Sequence, residues 1–262
     1  MDSIIFKFLI PNNNQPAGER MKYTHVSVSK TGLRRYENED SFGVFELEDG
    51  LLTVLCDGLG GNRAGEVASS LTVETIYNSF TRSDKVDYLE RIKDAITAAN
   101  RMIIDESTST PAFKGMATTV EVLFLNSNTA YWGHIGDSRI YKYKNQKIKQ
   151  LTKDHSLVQR LVDEGYLTLK EAENHPNRNI IMKALGDTTD VEADLSKLKL
   201  NMREQFKFFI CSDGVTCVIN DDELEEIIGN EDDNFTAEKL SKLIEDRGAP
   251  DNYSFVIITR NE

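Results

Sequence analysis

Three cysteines in 262 residues are too few, and odd in number, for a disulfide framework. Cys56 and Cys211 each close an apolar run, where a thiol behaves as a small hydrophobe, so reduced thiols are expected. The four histidines, at 25, 134, 155 and 175, keep no zinc-ligand spacing with those cysteines. Long apolar runs are missing too. The longest early one, Ile4 to Ile10, is seven residues broken by Lys7, against the roughly 18 to 20 that cross a bilayer. Asp2 before it and Pro11-Asn12-Asn13-Asn14 after it do not frame a secretory leader, so no membrane association is expected and the expected compartment is cytoplasmic. Basic charge is in deficit: 31 Lys plus Arg stand against 43 Asp plus Glu, a net charge of −12 with a pI near 4.9. That balance argues against a nucleic-acid partner. With 5 Pro, 16 Gly, 39% hydrophobic and 28% charged residues, the composition is that of a globular chain rather than a disordered or fibrous one.

What is present reads as one large domain, because about 150 residues per domain is a soft guide that a single α+β unit satisfies. An extension is expected at 1–22, with a Pro/Asn/Gly-rich break from Pro11 to Gly18, and the domain proper over 23–262. Tyr23 to Ser29, Ser41 to Leu47 and Leu51 to Cys56 have strand composition, the last two joined as a hairpin by Glu48-Asp49-Gly50. Ala64 to Phe80 and Val86 to Glu106 are helical patterns, the second with Leu89, Ile92, Ile96, Ala99 and Ile103 at spacings of three and four. Thr118 to Leu151 reads as an antiparallel meander with turns at Asn126-Ser127-Asn128 and Lys144-Asn145-Gln146. The stretch 156–188, with two short helical patterns, reads as a lid. Strands at Gln205 to Cys211 and Ser254 to Thr259 bracket a helical, acidic stretch. Its eight carboxylates between Asp221 and Asp233 are most simply the solvated start of a helix. Strands, helices and strands without regular alternation favour α+β with antiparallel sheets.

Two apolar strands end in Asp-Gly: Thr53-Val54-Leu55-Cys56-Asp57-Gly58 and Phe208-Phe209-Ile210-Cys211-Ser212-Asp213-Gly214. Asp40, Asp137 and Asp251 occupy comparable places beside strand-like runs. Any one of them is most simply a turn former or helix cap. Five at strand ends weaken that account, and if they converge their repulsion calls for a multivalent cation. An all-oxygen set suits Mg²⁺ or Mn²⁺.

The segments Gly32 to Ser41 (Gly-Leu-Arg-Arg-Tyr-Glu-Asn-Glu-Asp-Ser), Cys56 to Gly61 (Cys-Asp-Gly-Leu-Gly-Gly), Gly115 to Thr119 (Gly-Met-Ala-Thr-Thr), Gly133 to Arg139 (Gly-His-Ile-Gly-Asp-Ser-Arg), Cys211 to Gly214 and Asp251-Asn252 resemble, in order, the motifs of the metal-dependent protein phosphatases (PPM, or protein phosphatase type 2C), bacterial branch. Six motifs in order over Tyr23 to Arg260 are far more specific than any one. Leu151 to Ser156 and His175 to Asn179 are similar to that branch's flap region.

The resemblance implies a four-layer αββα sandwich of two antiparallel sheets flanked by helices, with the flap about 156–188. It implies a protein serine/threonine phosphatase that hydrolyses phosphoserine and phosphothreonine by direct attack of a metal-bridging hydroxide. By position in the motifs, Asp57 would bridge two Mn²⁺ or Mg²⁺ ions, Asp213 and Asp251 would hold one of them, and the Gly58 carbonyl would face the other. Asp40, with Glu39 beside it, would act mostly through metal-bound waters. Arg35 would grip the phosphate, and Asp137 would hold a third, weaker ion near the flap. Catalysis would rest on Arg35, Asp57 and Asp213. The partners implied are phosphorylated proteins and a Ser/Thr protein kinase acting on the same substrates, with the enzyme a monomer.

Leu59 departs from the pattern where many eukaryotic members place a His proposed as general acid, so leaving-group protonation must come from elsewhere. His155 and His175 are more simply structural than catalytic. The Gly-rich stretch after Asp57 fits neither nucleotide fingerprint: Arg63 stands where the dinucleotide motif wants Gly or Ala, and no Lys-Ser/Thr follows Gly65. Neither Cys56 nor Cys211 has an Arg six positions on, as a cysteine phosphatase needs. A catalytically dead phosphoprotein-binding relative is the rival from another class, and retention of Arg35 and the aspartates speaks against it.

Overall fold

The computed structural model describes residues 23–60, 64–201 and 203–260; the expected extension at 1–22 and Gly61 lie outside the described residues. Eleven strands form two antiparallel sheets among them. One contains β1 (Tyr23–Lys30), β7 (Arg139–Lys144), β8 (Lys147–Gln150), β10 (Lys207–Cys211) and β11 (Tyr253–Arg260), in the order β1-β11-β10-β7-β8. The other contains β2 (Asp40–Leu47), β3 (Gly50–Leu59), β5 (Val120–Leu125), β6 (Thr129–Ile135) and β9 (Asp194–Lys199), in the order β2-β3-β5-β6-β9, with the two-residue β4 (Ala117–Thr118) paired to β3. The helices are α1 (Ala64–Arg82), α2 (Tyr88–Ser109), α3 (Leu157–Asp163), α4 (Leu169–Glu173), α5 (Asp213–Thr216), α6 (Asp221–Ile228) and α7 (Asp233–Asp246).

Period-two alternation sorts the side chains into three apolar layers. Leu51 and Leu55 of β3 meet Phe208 and Ile210 of β10 and Val256 and Ile258 of β11 between the sheets. Leu52, Val54 and Cys56, on the other face of β3, pack under α1 and α2, where Ile92, Ile96, Ala99 and Ile103 of the expected stripe are buried. Phe209, Cys211, Phe255 and Ile257 face α6 and α7. The architecture is therefore the expected αββα sandwich. Burial on both faces explains why β10 and β11 read as continuous apolar runs.

Three local expectations change. Thr118 to Leu151 is not one meander, because β5 and β6 belong to one sheet and β7 and β8 to the other, with the chain crossing between them at Gly136-Asp137-Ser138. Gly136 has φ +116° there, a backbone state open to glycine. β3 runs past Cys56 to Leu59 because β4 pairs with it at Gly58–Thr118 and Leu59–Ala117, so Asp57 and Gly58 lie within the strand. β9, at the sheet edge, is a strand missed in the sequence, its Asp, Ser and Lys side chains exposed. The acidic stretch behaves as expected: Asn220 caps α6 in a reciprocal capping box with Glu223, and Asp221, Asp222 and Glu223 fill the first turn. The stretch 156–188 holds α3 and α4, and no helix among the described residues is long and apolar enough to cross a membrane.

Candidate active site

Asp40 and Asp57 are directly opposed in the β2–β3 ladder, which puts both carboxylates on one face at one end of the sheet. Asp213 opens α5 just past β10, and Asp251 stands two residues before β11, so the other sheet delivers two more to the same region. Asp137 sits in the crossing between β6 and β7. The Ser212 hydroxyl links the sheets by donating to Asp40 Oδ2 at 2.8 Å while accepting from the Ser254 N–H at 3.0 Å.

The carboxylates feel one another. Burial, then Asp40, Asp213, Asp137 and Asp251, pushes Asp57 well above the usual carboxylate range. Burial pushes Asp40 up to about 7, with Asp213 and Asp251 adding to it and the Ser212 and Ser254 hydrogen bonds opposing it. Asp213 rises to about 6 through burial and then Asp251, and Asp137 rises well above its ordinary value through burial, Asp213 and Asp154. Asp40 Oδ1 and Asp137 Oδ1 are buried with no hydrogen-bond partner among the described residues. Unpartnered, buried, mutually repelling oxygens are the donor set that a hard divalent cation satisfies. Among the described residues no three acidic, His or Cys side chains already form a closed cage. Mg²⁺-type sites, which keep several waters and use one or two carboxylates, do not need one.

The backbone around Asp57 is fixed by residues that the motifs contain but to which sequence reasoning gave no role. Thr119 Oγ1 accepts from the Asp57 N–H at 3.0 Å, while the Thr118 hydroxyl and the Thr119 N–H donate to the Asp57 carbonyl at 2.8 and 2.9 Å. Asn252 clamps the β2 entry: its Nδ2 donates to the Glu37 carbonyl at 3.0 Å and its Oδ1 accepts from the Glu39 N–H at 3.0 Å. For Asn252 the signal was its place beside Asp251, whereas Thr118 and Thr119 have no neighbouring carboxylate in the sequence to mark them. Gly58 is required sterically, since a Cβ there would stand 2.2 Å from the Gly65 carbonyl oxygen and 2.5 Å from that of Glu39.

Arg35 reaches the cluster from the β1–β2 loop, its Nη2 2.5 Å from Asp251 Oδ2. That loop lies flat on the Asp251 turn: Leu33 N–H donates to the Ala249 carbonyl at 2.9 Å, and Gly32 passes so close that a Cβ would sit 1.9 Å from the Asp251 carbonyl oxygen. Burial lowers the Arg35 pKa, and the hydrogen bond to Asp251 together with the charges of Asp251, Glu39 and Asp57 more than offsets it, so the guanidinium stays charged. Burial raises Glu39, opposed by Arg35. Leu59, half-buried at the end of β3, offers no proton donor. His175 Nδ1 accepts from the Asn177 N–H at 3.1 Å, a turn cap; His155 lies against Gly136, one residue from Asp137. Arg35, Glu39, Asp40, Asp57, Gly58, Asp137, Asp213 and Asp251 are thus gathered at one end of the two sheets.

Residues 34–246 match the family model described as protein phosphatase 2C. A protein phosphatase 2C-type relative from Streptococcus pyogenes is 37% identical over 236 residues, covering 87% of this chain and 93% of its own. The Mycobacterium tuberculosis serine/threonine phosphatase PstP superposes with a TM-score of 0.83 at 32% identity, over 92% of this chain and 99% of that one. A structure of the PstP catalytic domain in complex with two manganese ions gives a TM-score of 0.80 at 32% identity, over 91% and 99% of the two chains.

Proposed function

The chain belongs to the protein phosphatase 2C family, and from that membership we propose how its own residues divide the work of a metal-dependent protein serine/threonine phosphatase. Asp57, Asp213 and Asp251, with the Gly58 carbonyl, would hold two divalent ions, Asp57 contributing to both, Asp213 and Asp251 to one and the Gly58 carbonyl to the other. Asp40 and Glu39 act from outside that shell through water. Bound there, the ions lower the pKa of a water and offset the charge of a phosphate monoester. What supports this assignment most directly is the Asp40–Asp57 opposition with its unpartnered buried oxygen.

The chain's own side chains do the rest. Ser212 holds Asp40 Oδ2 and leaves Oδ1 directed elsewhere. Threonines 118 and 119 fix the Asp57 backbone from both sides. Arg35, 46% exposed and tied to Asp251 on one edge, exchanges that carboxylate for two phosphate oxygens when cations take up the charge of Asp251, a geometry its planar fork suits. Asp137 takes a third, weaker ion. The substrates are proteins carrying phosphoserine or phosphothreonine, supplied by a Ser/Thr kinase. Residues 23–262 act as one phosphatase domain with 156–188 as its flap, working as a cytoplasmic monomer with Mn²⁺ or Mg²⁺.

The test is p-nitrophenyl phosphate hydrolysis at pH 8 with Mn²⁺, Mg²⁺ or EDTA. Turnover with metal that EDTA abolishes is expected; a folded protein inert with both metals would overturn the assignment. Two variants examine its parts. Arg35→Lys keeps the charge but not the fork, and is expected to raise KM about tenfold, ~1.4 kcal/mol, with a smaller change in kcat. Ser212→Ala removes the Ser212 hydrogen bond to Asp40 Oδ2 and is expected to weaken the Mn²⁺ activation constant about tenfold, in the range measured for outer-shell partners of metal sites.

A further inference from the structure

Asp137 is buried, its Oδ1 has no partner among the described residues, and the hydrogen bond its carboxyl makes is to its own backbone, so its aim depends on the turn that carries it. That turn, Gly136-Asp137-Ser138, is gripped from two sides. On one side a Cβ on Gly136 would stand 2.5 Å from Thr119 Cβ, and Thr119 Oγ1 lies 2.9 Å from Ser138 Oγ. On the other side is His155. Its N–H donates to the Gly136 carbonyl at 2.7 Å, and its Nδ1 accepts from the Gly136 N–H at 3.1 Å, so one residue satisfies both backbone groups of Gly136.

The chemistry of that contact is one-way. A peptide N–H can only donate, so Nδ1 must be unprotonated and the ring proton must sit on Nε2, which lies 3.3 Å from Asp194 Oδ2 on β9. The ring also stacks on His134, with centroids 4.5 Å apart, and His134 is itself held by Glu121 and by the Lys153 carbonyl. The imidazole is pushed down to about 4 by burial, then His134 and Lys183, against the pull of Asp194. It therefore stays neutral, with its acceptor available, at neutral pH. The His155 carbonyl accepts from the Met182 N–H at 2.7 Å, so the residue also holds the returning end of the flap segment.

We propose that His155 is a positioning residue whose Nδ1 lone pair fixes the Gly136–Asp137 turn and so sets the affinity of the cation held by Asp137. The inference rests on the assignment of Asp137 as a cation ligand, and the test separates the two. Mn²⁺ binding to the full chain is counted by electron paramagnetic resonance of the free ion, for wild type, Asp137→Asn, His155→Leu, His155→Asn and His155→Gln. Asn can place its Oδ1 near the Nδ1 position, whereas Gln puts its acceptor one bond further out.

Wild type is expected to show a weak class of sites that Asp137→Asn removes. His155→Leu and His155→Gln should weaken that class about tenfold or more, His155→Asn should stay within about threefold of wild type, and the tighter sites should be unchanged in all three. If Asp137→Asn leaves the weak class intact, the ligand assignment fails. If Asp137→Asn removes it and His155→Leu does not weaken it, the ligand stands and the positioning role falls. Equal losses in the Asn and Gln variants would also overturn the proposal, since the placement of the acceptor would then not matter. Should the Leu variant fail to fold, the Asn and Gln pair decides alone.

Discussion

Asp213→Asn is expected to lower kcat for p-nitrophenyl phosphate at saturating Mn²⁺ by about a thousandfold, ~4 kcal/mol of transition-state stabilisation, while leaving the metal-free protein as stable as wild type or more so. The two effects share one cause. Asp213 lies in the field of Asp251, and its carboxyl is pushed up to about 6 by burial and then by Asp251, against a hydrogen bond with Asp57. An amide of the same shape keeps the packing around α5 and removes one negative charge from a group of carboxylates that repel. Without metal that relieves a cost; with metal it removes a charged ligand. Loss of activity together with an unchanged or raised melting temperature separates a ligand from a merely structural side chain, whose replacement would lower both. An Asn variant within tenfold of wild-type kcat would remove Asp213 from the metal set.

Much of this was legible in the sequence, for reasons visible in the folded chain. Strands buried on both faces announce themselves by unbroken apolar runs, as in Phe208 to Cys211 and Phe255 to Ile258. Helix α2 announces itself by its buried stripe. Asp57 and Asp213 drew attention because each follows such a run, although Asp57 lies inside β3 rather than beyond its end. β9 was not legible, because this edge strand exposes Asp194, Ser196, Lys197 and Lys199 and half-buries only Leu195 and Leu198, three apart, so it carries no period-two apolar pattern. Nor was the crossing at Gly136: β5–β6 and β7–β8 are both local hairpins, and local pairing says nothing about which sheet each hairpin joins. The supporting hydroxyls and amides, Thr118, Thr119, Ser212 and Asn252, act through contacts between residues as far apart as Asp40 and Ser212, a separation that spacing along the chain cannot report. His155 read as structural; its bonds to Gly136 give it a specific position beside Asp137.

Removing the metal is expected to make stability fall as pH rises from 5 to 7.5, and Mn²⁺ is expected to cancel most of that fall. In the metal-free fold burial pushes Asp40 up to about 7 and Asp213 up to about 6, and Asp57 and Asp137 are also held well above the ordinary value of 3.8. A carboxyl whose folded pKa is raised binds its proton more tightly folded than unfolded. Its contribution is fully present below about 4 and is lost as pH climbs through the folded pKa. Depressed surface carboxylates run the other way but in another window: Glu223, held down to about 2 by Arg247, affects stability only below about 4.5. Glu121, pushed up to about 7, adds a slope of the same sign that metal does not remove, so it survives in both arms of the experiment. Mn²⁺ at about a hundred times its dissociation constant contributes about 2.7 kcal/mol, or roughly 5 to 10 °C in melting temperature for a chain of this size. That gain should be clear at pH 7.5 and shrink at pH 5, where protons compete for the same oxygens. Thermal melts in EDTA and in Mn²⁺ at the two pH values decide it. An equal gain at both, or a metal-free melting temperature that rises toward pH 7.5, would mean that these aspartates are not the group whose repulsion the cation relieves. The expected pattern would locate the instability of the metal-free fold at the residues that bind the ion.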